Sequence, residues 1–248
     1  MLIMGVRYNA DLRNPYIIAT GSQHVSISDA NVPIGTKREW LFQHGLLHKN
    51  EIDALMLDSV ALYSVCPEQQ ATNICNSISS LPKLDKLTKP VITDACACVG
   101  GNTLAFVLCG LFSMVNAVEI DKTRKSMLDH NLSVIKHRSP TPVRVYGTDY
   151  LKLMYEQQQD IVYIDPPWGG PGYQYKPKLQ LFLGGKHLAE IMCVLHENTC
   201  NTGTKYVVFR APLNFDVDDM NSRLRKSKLS MSVCKRFKKY SLYYVDVS

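Results

Sequence analysis

The hydrophobic pattern of this chain changes period repeatedly after residue 90, and each change marks an element. Residues 91–94, 112–120, 143–146, 161–164 and 205–210 are short apolar runs rich in β-branched and aromatic side chains, as buried strands are. Between them the spacing becomes helical. Asn102 or Thr103 is placed to cap a helix that runs through Leu108 and closes at Gly110. Asp121 is placed to cap a second, carrying Met127, Leu128, Leu132 and Ile135 on one face. A short helix is expected near 150–155, longer ones at 188–195 and 216–224, and closing strands within 229–247. Strands that alternate with helices predict an α/β fold, a parallel sheet with right-handed crossovers.

The first 90 residues are less regular. Pro15, Gly21, Pro33 and Gly35 punctuate short β-type runs such as 16–20. Helical spacing over 37–57 places Trp40, Leu41, Leu47, Ile52, Leu55 and Met56 on one side. Pro67 suits the first position of a helix running to about Ile78. Residues 81–90 read as a connector, which divides the chain into an N-terminal extension over 1–80 and a core over 81–248.

Composition narrows the classes. Of 248 residues, 46% are hydrophobic and 20% charged, which is ordinary for a globular chain. The longest apolar stretch, 104–118, is interrupted by Gly110, Ser113 and Asn116 and is too short to span a bilayer. The eight cysteines (Cys66, Cys75, Cys96, Cys98, Cys109, Cys193, Cys200 and Cys234) follow no signal peptide, so free thiols in a reducing intracellular compartment are expected. No Cys or His group has zinc spacing, so no metal is expected. The net charge of +6 favours an anionic partner. Eight basic residues between Arg223 and Lys239, uninterrupted by any acid, point to a nucleic-acid backbone.

The stretch 160–173, D-I-V-Y-I-D-P-P-W-G-G-P-G-Y, carries the chemistry. Two prolines end the strand because neither can donate to a ladder, and two glycines allow a sharp turn. An acid, a rigid carbonyl and an indole are thereby presented at the carboxyl end of a strand, where open α/β sheets hold their ligands. Asp165 and the carbonyl of Pro166 are both acceptors for an exocyclic amine, and Trp168 offers a face on which a base stacks. A positively charged base gains a cation–π attraction as well. Upstream, Asp94, Glu119 and Asp149 stand at successive strand ends, the positions from which such folds hold an adenosine group.

D-A-C-A-C-V-G-G-N-T-L-A-F, A-V-E-I-D, G-T-D-Y and D-P-P-W-G-G-P-G-Y, in that order, resemble class I S-adenosylmethionine-dependent methyltransferases, and within them the trimethylguanosine synthase family. Y-S-V-C-P-E at 63–68 resembles a segment that lies over the cofactor in that family, and F-R-A-P-L-N at 209–214 a strand end of its site. The resemblance covers about 60–220 and implies a Rossmann-like sheet with helices on both faces. It also implies methyl transfer to the N2 amine of a 7-methylguanosine RNA cap. Carried over position by position, it assigns the cofactor to Ser64, Val65, Cys66, Asp94, Gly100, Asn102, Thr103, Glu119, Ile120, Asp149 and Tyr150. It assigns amine orientation to Asp165 and Pro166, base stacking to Trp168, and substrate contacts to Tyr173, Arg210 and Asn214, with Lys176, Lys178, Lys186 and Arg210 near the cap phosphates. The chain departs from the family pattern at Cys98 (a glycine there), Cys66 (Thr), Asp165 (Ser) and the order of Arg210 and Pro212. The implied protein is a monomer acting on capped RNA in nucleus or cytoplasm, a host cell's if viral. Two alternatives stand beside it: an adenine-N6 or guanine-N2 methyltransferase on uncapped RNA or DNA, and a non-catalytic module that binds caps or nucleic acid.

Overall fold

A computed structural model describes residues 24–26, 41–42, 45–82, 84 and 87–248. Trp40, the 16–20 run and most of the first 40 residues lie outside these. The chain enters through β1 (His24–Ser26), α1 (Lys49–Ala54), β2 (Met56–Asp58), α2 (Ala61–Ser64) and α3 (Glu68–Ile78). Then follow β3 (Val91–Asp94), α4 (Gly101–Leu108), β4 (Met114–Val118), α5 (Lys122–Ile135), β5 (Val143–Tyr146), α6 (Tyr150–Leu153) and β6 (Ile161–Ile164). A small hairpin of β7 (Phe182–Leu183) and β8 (Lys186–His187) precedes α7 (Leu188–Glu197), α8 (Thr199–Thr202), β9 (Tyr206–Pro212) and α9 (Val217–Arg225). The chain closes with β10 (Met231–Arg236) and β11 (Tyr240–Asp246).

Seven strands form one sheet in the order β10-β11-β9-β6-β3-β4-β5. β9, β6, β3, β4 and β5 are parallel, and β11 inserts antiparallel between β9 and β10. Both faces are covered, which is why the central strands read as unbroken apolar runs. Period-two alternation sorts their side chains between two cores. Ile161, Tyr163, Tyr206, Val208 and Leu242 pack towards α3, α4 and α5, and Val162, Ile164, Val207, Phe209 and Val245 towards α7 and α9.

Several sequence expectations are corrected. The helical pattern over 37–57 is not one helix: Gly45 turns at φ 89°, Leu55 is the extended C-cap of α1, and Met56 opens β2, whose ladder partner is β1. Pro67 precedes α3 as its extended N-cap rather than opening it. The second core strand is shorter than 112–120, spanning Met114–Val118. α4 begins at Gly101, before both expected caps, and its N-cap is Gly100 at φ 106°. Gly101 is required for a different reason: a Cβ there would sit 2.6 Å from the Cys66 carbonyl oxygen and 2.7 Å from a Val65 methyl. Asp121 caps α5 as expected, accepting from Thr123 and Arg124.

Candidate active site

Asp94, Asp165, Arg210 and Tyr240 fall in phase with the strand residues that face α3 and α4. Asp94 ends β3, Asp165 follows β6, Arg210 lies near the end of β9 and Tyr240 opens the antiparallel β11, so all four stand at the carboxyl edge of the sheet. The parallel register pairs Ile164 with Phe209, which sets Asp165 beside Arg210 on the neighbouring strand. Arg210 Nη1 donates to Asp165 Oδ2 at 2.9 Å, and Nη2 to Gln70 Oε1 of α3 at 2.6 Å. The guanidinium lies over two rings, 4.9 Å from the centre of Trp168 and 4.4 Å from that of Tyr240. Burial alone would drive Arg210 towards deprotonation, but the Asp165 carboxylate outweighs it and the pKa of Arg210 is raised. Tyr173 meets Trp168 edge to face at 5.1 Å. Trp168 is half-buried, and its Nε1 and the Nε of Arg210 have no hydrogen-bond partner among the described residues. The turn that holds the indole there uses positive φ at Gly169 and Gly170.

Three expected roles change on this geometry. Arg210, expected near phosphate, is a buried ion-pair partner, 13% exposed. Asn214 ties down the loop after Trp168, donating to the carbonyls of Tyr173 and Lys176 at 2.8 and 2.7 Å. Lys178 pairs with Asp216 and Asp218, whereas Lys176 and Lys186 are exposed.

Beside this cluster lies a second one built by β3, β4 and α4. Thr103 Oγ1 donates to Asp94 Oδ2 at 2.7 Å, while Asp94 Oδ1 and Asn102 Oδ1 are buried acceptors without a donor among the described residues. Burial, with Asp165 and Glu119 nearby, pushes the Asp94 carboxyl up to about 7 against the opposing Thr103 bond. Glu119 accepts from the backbone of Cys98 and Asp121, each at 2.9 Å, and Arg124 stands 3.6 Å away. Its pKa is raised, by burial first. Ile120 next to it is 62% exposed, a free apolar face. Asp149 caps α6 through Oδ1. Tyr150 differs from expectation: its ring is in the core and its hydroxyl takes a bond from Gln159. Val65 and Cys66 rest on Gly101, closing the 64–66 segment over the start of α4. Cys98 holds a left-handed backbone at φ 51°, unusual for a residue with a side chain. Two acceptors lacking donors and an acid on the next strand fit the ammonium and ribose hydroxyls of S-adenosylmethionine.

Gln70 and Tyr240 were not foreseen as site residues. Gln70 and Tyr240 reach the site through helix packing and the β9–β11 register, where Tyr240 pairs with Pro212. The basic tract ends there too. β10 is an edge strand, and its two-residue turn, Lys238-Lys239, lies between Phe237 and Tyr240, whose rings stack at 4.6 Å. Arg223 pairs with Asp219, but Arg225, Lys226, Lys228, Lys235, Arg236, Lys238 and Lys239 are exposed and make no ion pair among the described residues.

Residues 89–247 match the model of the RNA cap guanine-N2 methyltransferases. The chain belongs to this family. A trimethylguanosine synthase of Schizosaccharomyces pombe is 30% identical over 149 residues, 58% of this chain and 59% of that protein. An uncharacterised protein of Acanthamoeba polyphaga mimivirus, L320, is 34% identical over 145 residues, 56% of this chain and 53% of that one. The chain thus spans somewhat over half the length of the curated relatives it matches. A T. thermophilus 16S rRNA N2 G1207 methyltransferase, solved with AdoMet and guanosine, superposes with a TM-score of 0.51 at 12% identity. That match covers 71% of this chain and 42% of the other. The family's fold, like that of this neighbour, is the class I S-adenosylmethionine-dependent methyltransferase sheet.

Proposed function

We propose that this protein transfers a methyl group from S-adenosylmethionine to the exocyclic N2 amine of a 7-methylguanosine RNA cap. The observation that carries this reading is the β6 terminus, where Asp165 and Trp168 are held side by side by Arg210 at the carboxyl edge of a methyltransferase sheet. Asp94 and Asn102 would hold the ammonium of the cofactor, Glu119 its ribose, Ile120 the adenine face and Asp149 the adenine amine. Residues before 81 act as an extension whose 64–66 segment covers that cofactor, and 81–248 form the core.

When bound, S-adenosylmethionine supplies an electrophilic methyl on a sulfonium. Asp165 and the Pro166 carbonyl each accept one hydrogen of the N2 amine, which turns the nitrogen lone pair towards that methyl. Most of the rate comes from this positioning. Asp165 Oδ1 would accept the one proton that the methylated nitrogen sheds and return it to water. The base stacks on the Trp168 face that Arg210 leaves open, a contact that stabilises binding by about 1–3 kcal/mol. RNA beyond the base runs over the Lys238-Lys239 turn and the exposed cations of β10.

The test is methyl transfer with a labelled donor to m7G-capped RNA, RNA with an unmethylated cap, uncapped RNA and DNA, followed by identification of the modified atom. Label at N2 of the cap guanine is expected. Label at adenine N6 transfers the function to the uncapped alternative, and absence of cofactor binding by calorimetry to the non-catalytic one. In Trp168→Ala, kcat/KM should fall by about five- to a hundredfold with cofactor affinity unchanged, as loss of one stack predicts.

A further inference from the structure

Resting on that reading, we infer that Arg210 is a positioning residue that makes Asp165 a reader of the guanine edge, selecting N1–H together with N2–H. Arg210 is held by four neighbours: it lies over the Trp168 and Tyr240 rings, Gln70 takes one nitrogen, and Asp165 takes another. A carboxylate oxygen bonded to a held guanidinium is restrained in its rotation. Oδ2 is fixed by the 2.9 Å bond, and Oδ1 takes no bond from any of the described residues and is not sealed off from solvent. The outward aspect of Asp165 is therefore acceptor-only and of fixed direction.

That aspect discriminates among bases. Guanine presents two adjacent donors, N1–H and N2–H, which a carboxylate accepts together through Oδ1 and the second lone pair of Oδ2. The Pro166 carbonyl then takes the other N2 hydrogen. Adenine and cytosine present an amine beside a ring-nitrogen lone pair, which faces the carboxylate with like polarity. Asp165 without Arg210 could swing to bond any amine singly. With Arg210 it rewards only the paired donors. The chain has Asp165 where the resembling family has Ser, and Arg210 shifted from that family's order, so the pair replaces whatever the hydroxyl did with a charged device.

The experiment compares kcat/KM on two m7G-type capped RNAs, one with guanine and one with 2-aminopurine as the cap base. The latter keeps the N2 amine but carries a lone pair at N1. The wild type should prefer guanine by about ten- to a hundredfold, the range for a hydrogen bond to a charged group. Asp165→Asn and Arg210→Met should each reduce that preference to within a few fold, the double variant should reduce it no further, and Arg210→Lys should retain part of it. Cofactor affinity serves as the check that each variant is folded. Gln70→Ala, which frees the guanidinium without orphaning Asp165, should lower the preference by a smaller factor and covers the case in which Arg210 variants do not fold. A guanine preference unchanged in Arg210→Met, or in Gln70→Ala should the former be unfolded, overturns the inference while the proposed function stands. A wild type that methylates neither base overturns both.

Discussion

Replacing Asp94 with Asn should abolish a pH dependence of cofactor affinity that the wild type displays near neutrality. In the protein without cofactor the Asp94 carboxyl titrates at about 7, raised by burial and by the neighbouring acids Asp165 and Glu119. Holding an ammonium requires the ionised form. A group with that pKa is about 76% ionised at pH 7.5 and about 3% at pH 5.5, so affinity should fall roughly twenty-five-fold across this interval. Below pH 7, binding should also release close to one proton, readable from the way the calorimetric heat varies with the ionisation enthalpy of the buffer. Stability without cofactor moves in the opposite sense. The folded carboxyl holds its proton more tightly than the unfolded one, whose value is 3.8, so the extra proton sits on the folded state between about 4 and 7. Stability therefore falls as pH rises through that window, and the Asn variant lacks the fall. Titration calorimetry at pH 5.5, 6.5 and 7.5 decides the matter. A wild-type dissociation constant steady within twofold refutes the reasoning, and an Asn variant with the wild-type slope moves the titrating group to Glu119.

Three further outcomes follow from named contacts. Gly101→Ala forces a methyl into the Val65–Cys66 backbone at 2.6–2.9 Å; it should cost about 1–3 kcal/mol in denaturant unfolding and weaken cofactor binding, and unchanged stability would show that the 64–66 segment does not rest on α4. Cys98→Gly removes a side chain from a φ of 51°. The relief, about 1–2 kcal/mol, exceeds the entropic cost of glycine, about 0.4–1 kcal/mol, so the melting temperature should rise, and a fall would mean that thiol packing outweighs backbone strain. Reversing Lys238 and Lys239 to Glu should weaken RNA binding and flatten its slope against log salt by about 1.4, at roughly 0.7 per single-strand phosphate contact, and an unaltered slope would place the RNA elsewhere.

What was legible in the sequence was what is local. The β6 terminus was readable because a buried strand, two prolines and two glycines specify their own backbone. Asp121 was readable as a cap because its bonds reach only two and three residues onward. The beginning of α4 was not, because what decides it is distant: Gly101 is set by Cys66, and the Thr103 hydroxyl, free on paper to cap, is taken by Asp94. The same holds for 37–57. Leu55 and Met56 continue a helical period, yet Met56–Asp58 pairs with residues 24–26, about thirty positions earlier, and the ladder overrides the spacing. Arg210 illustrates the limit at the site itself. It was expected as a substrate contact near the cap phosphates, and only the register of β6 with β9 and of β9 with β11 reveals a guanidinium set among Asp165, Trp168 and Tyr240.

The charges of the two clusters bear on how a reaction cycle would turn over. Asp94, Glu119 and Asp165 are close enough for two of them to raise the third. Arg210 is committed to Asp165 and Gln70, and Arg124 to Asp58, Glu119 and Asp121, so Asp94 has no cation of its own among the described residues. A methyl donor brings that missing cation twice, as ammonium and as sulfonium, against a single carboxylate. Methyl transfer converts the sulfonium into a neutral thioether, and the cleft loses one of the positive charges that its acids attract. The electrostatic part of binding therefore favours the charged donor over the spent one. Asp165 is the acid nearest the transferred group in the proposed arrangement, and it is the one already neutralised by Arg210. In that arrangement the ion pair would keep the amine-orienting carboxylate from drawing the sulfonium out of line, and the acid proposed to aim the nitrogen would be distinct from the acids proposed to hold the donor.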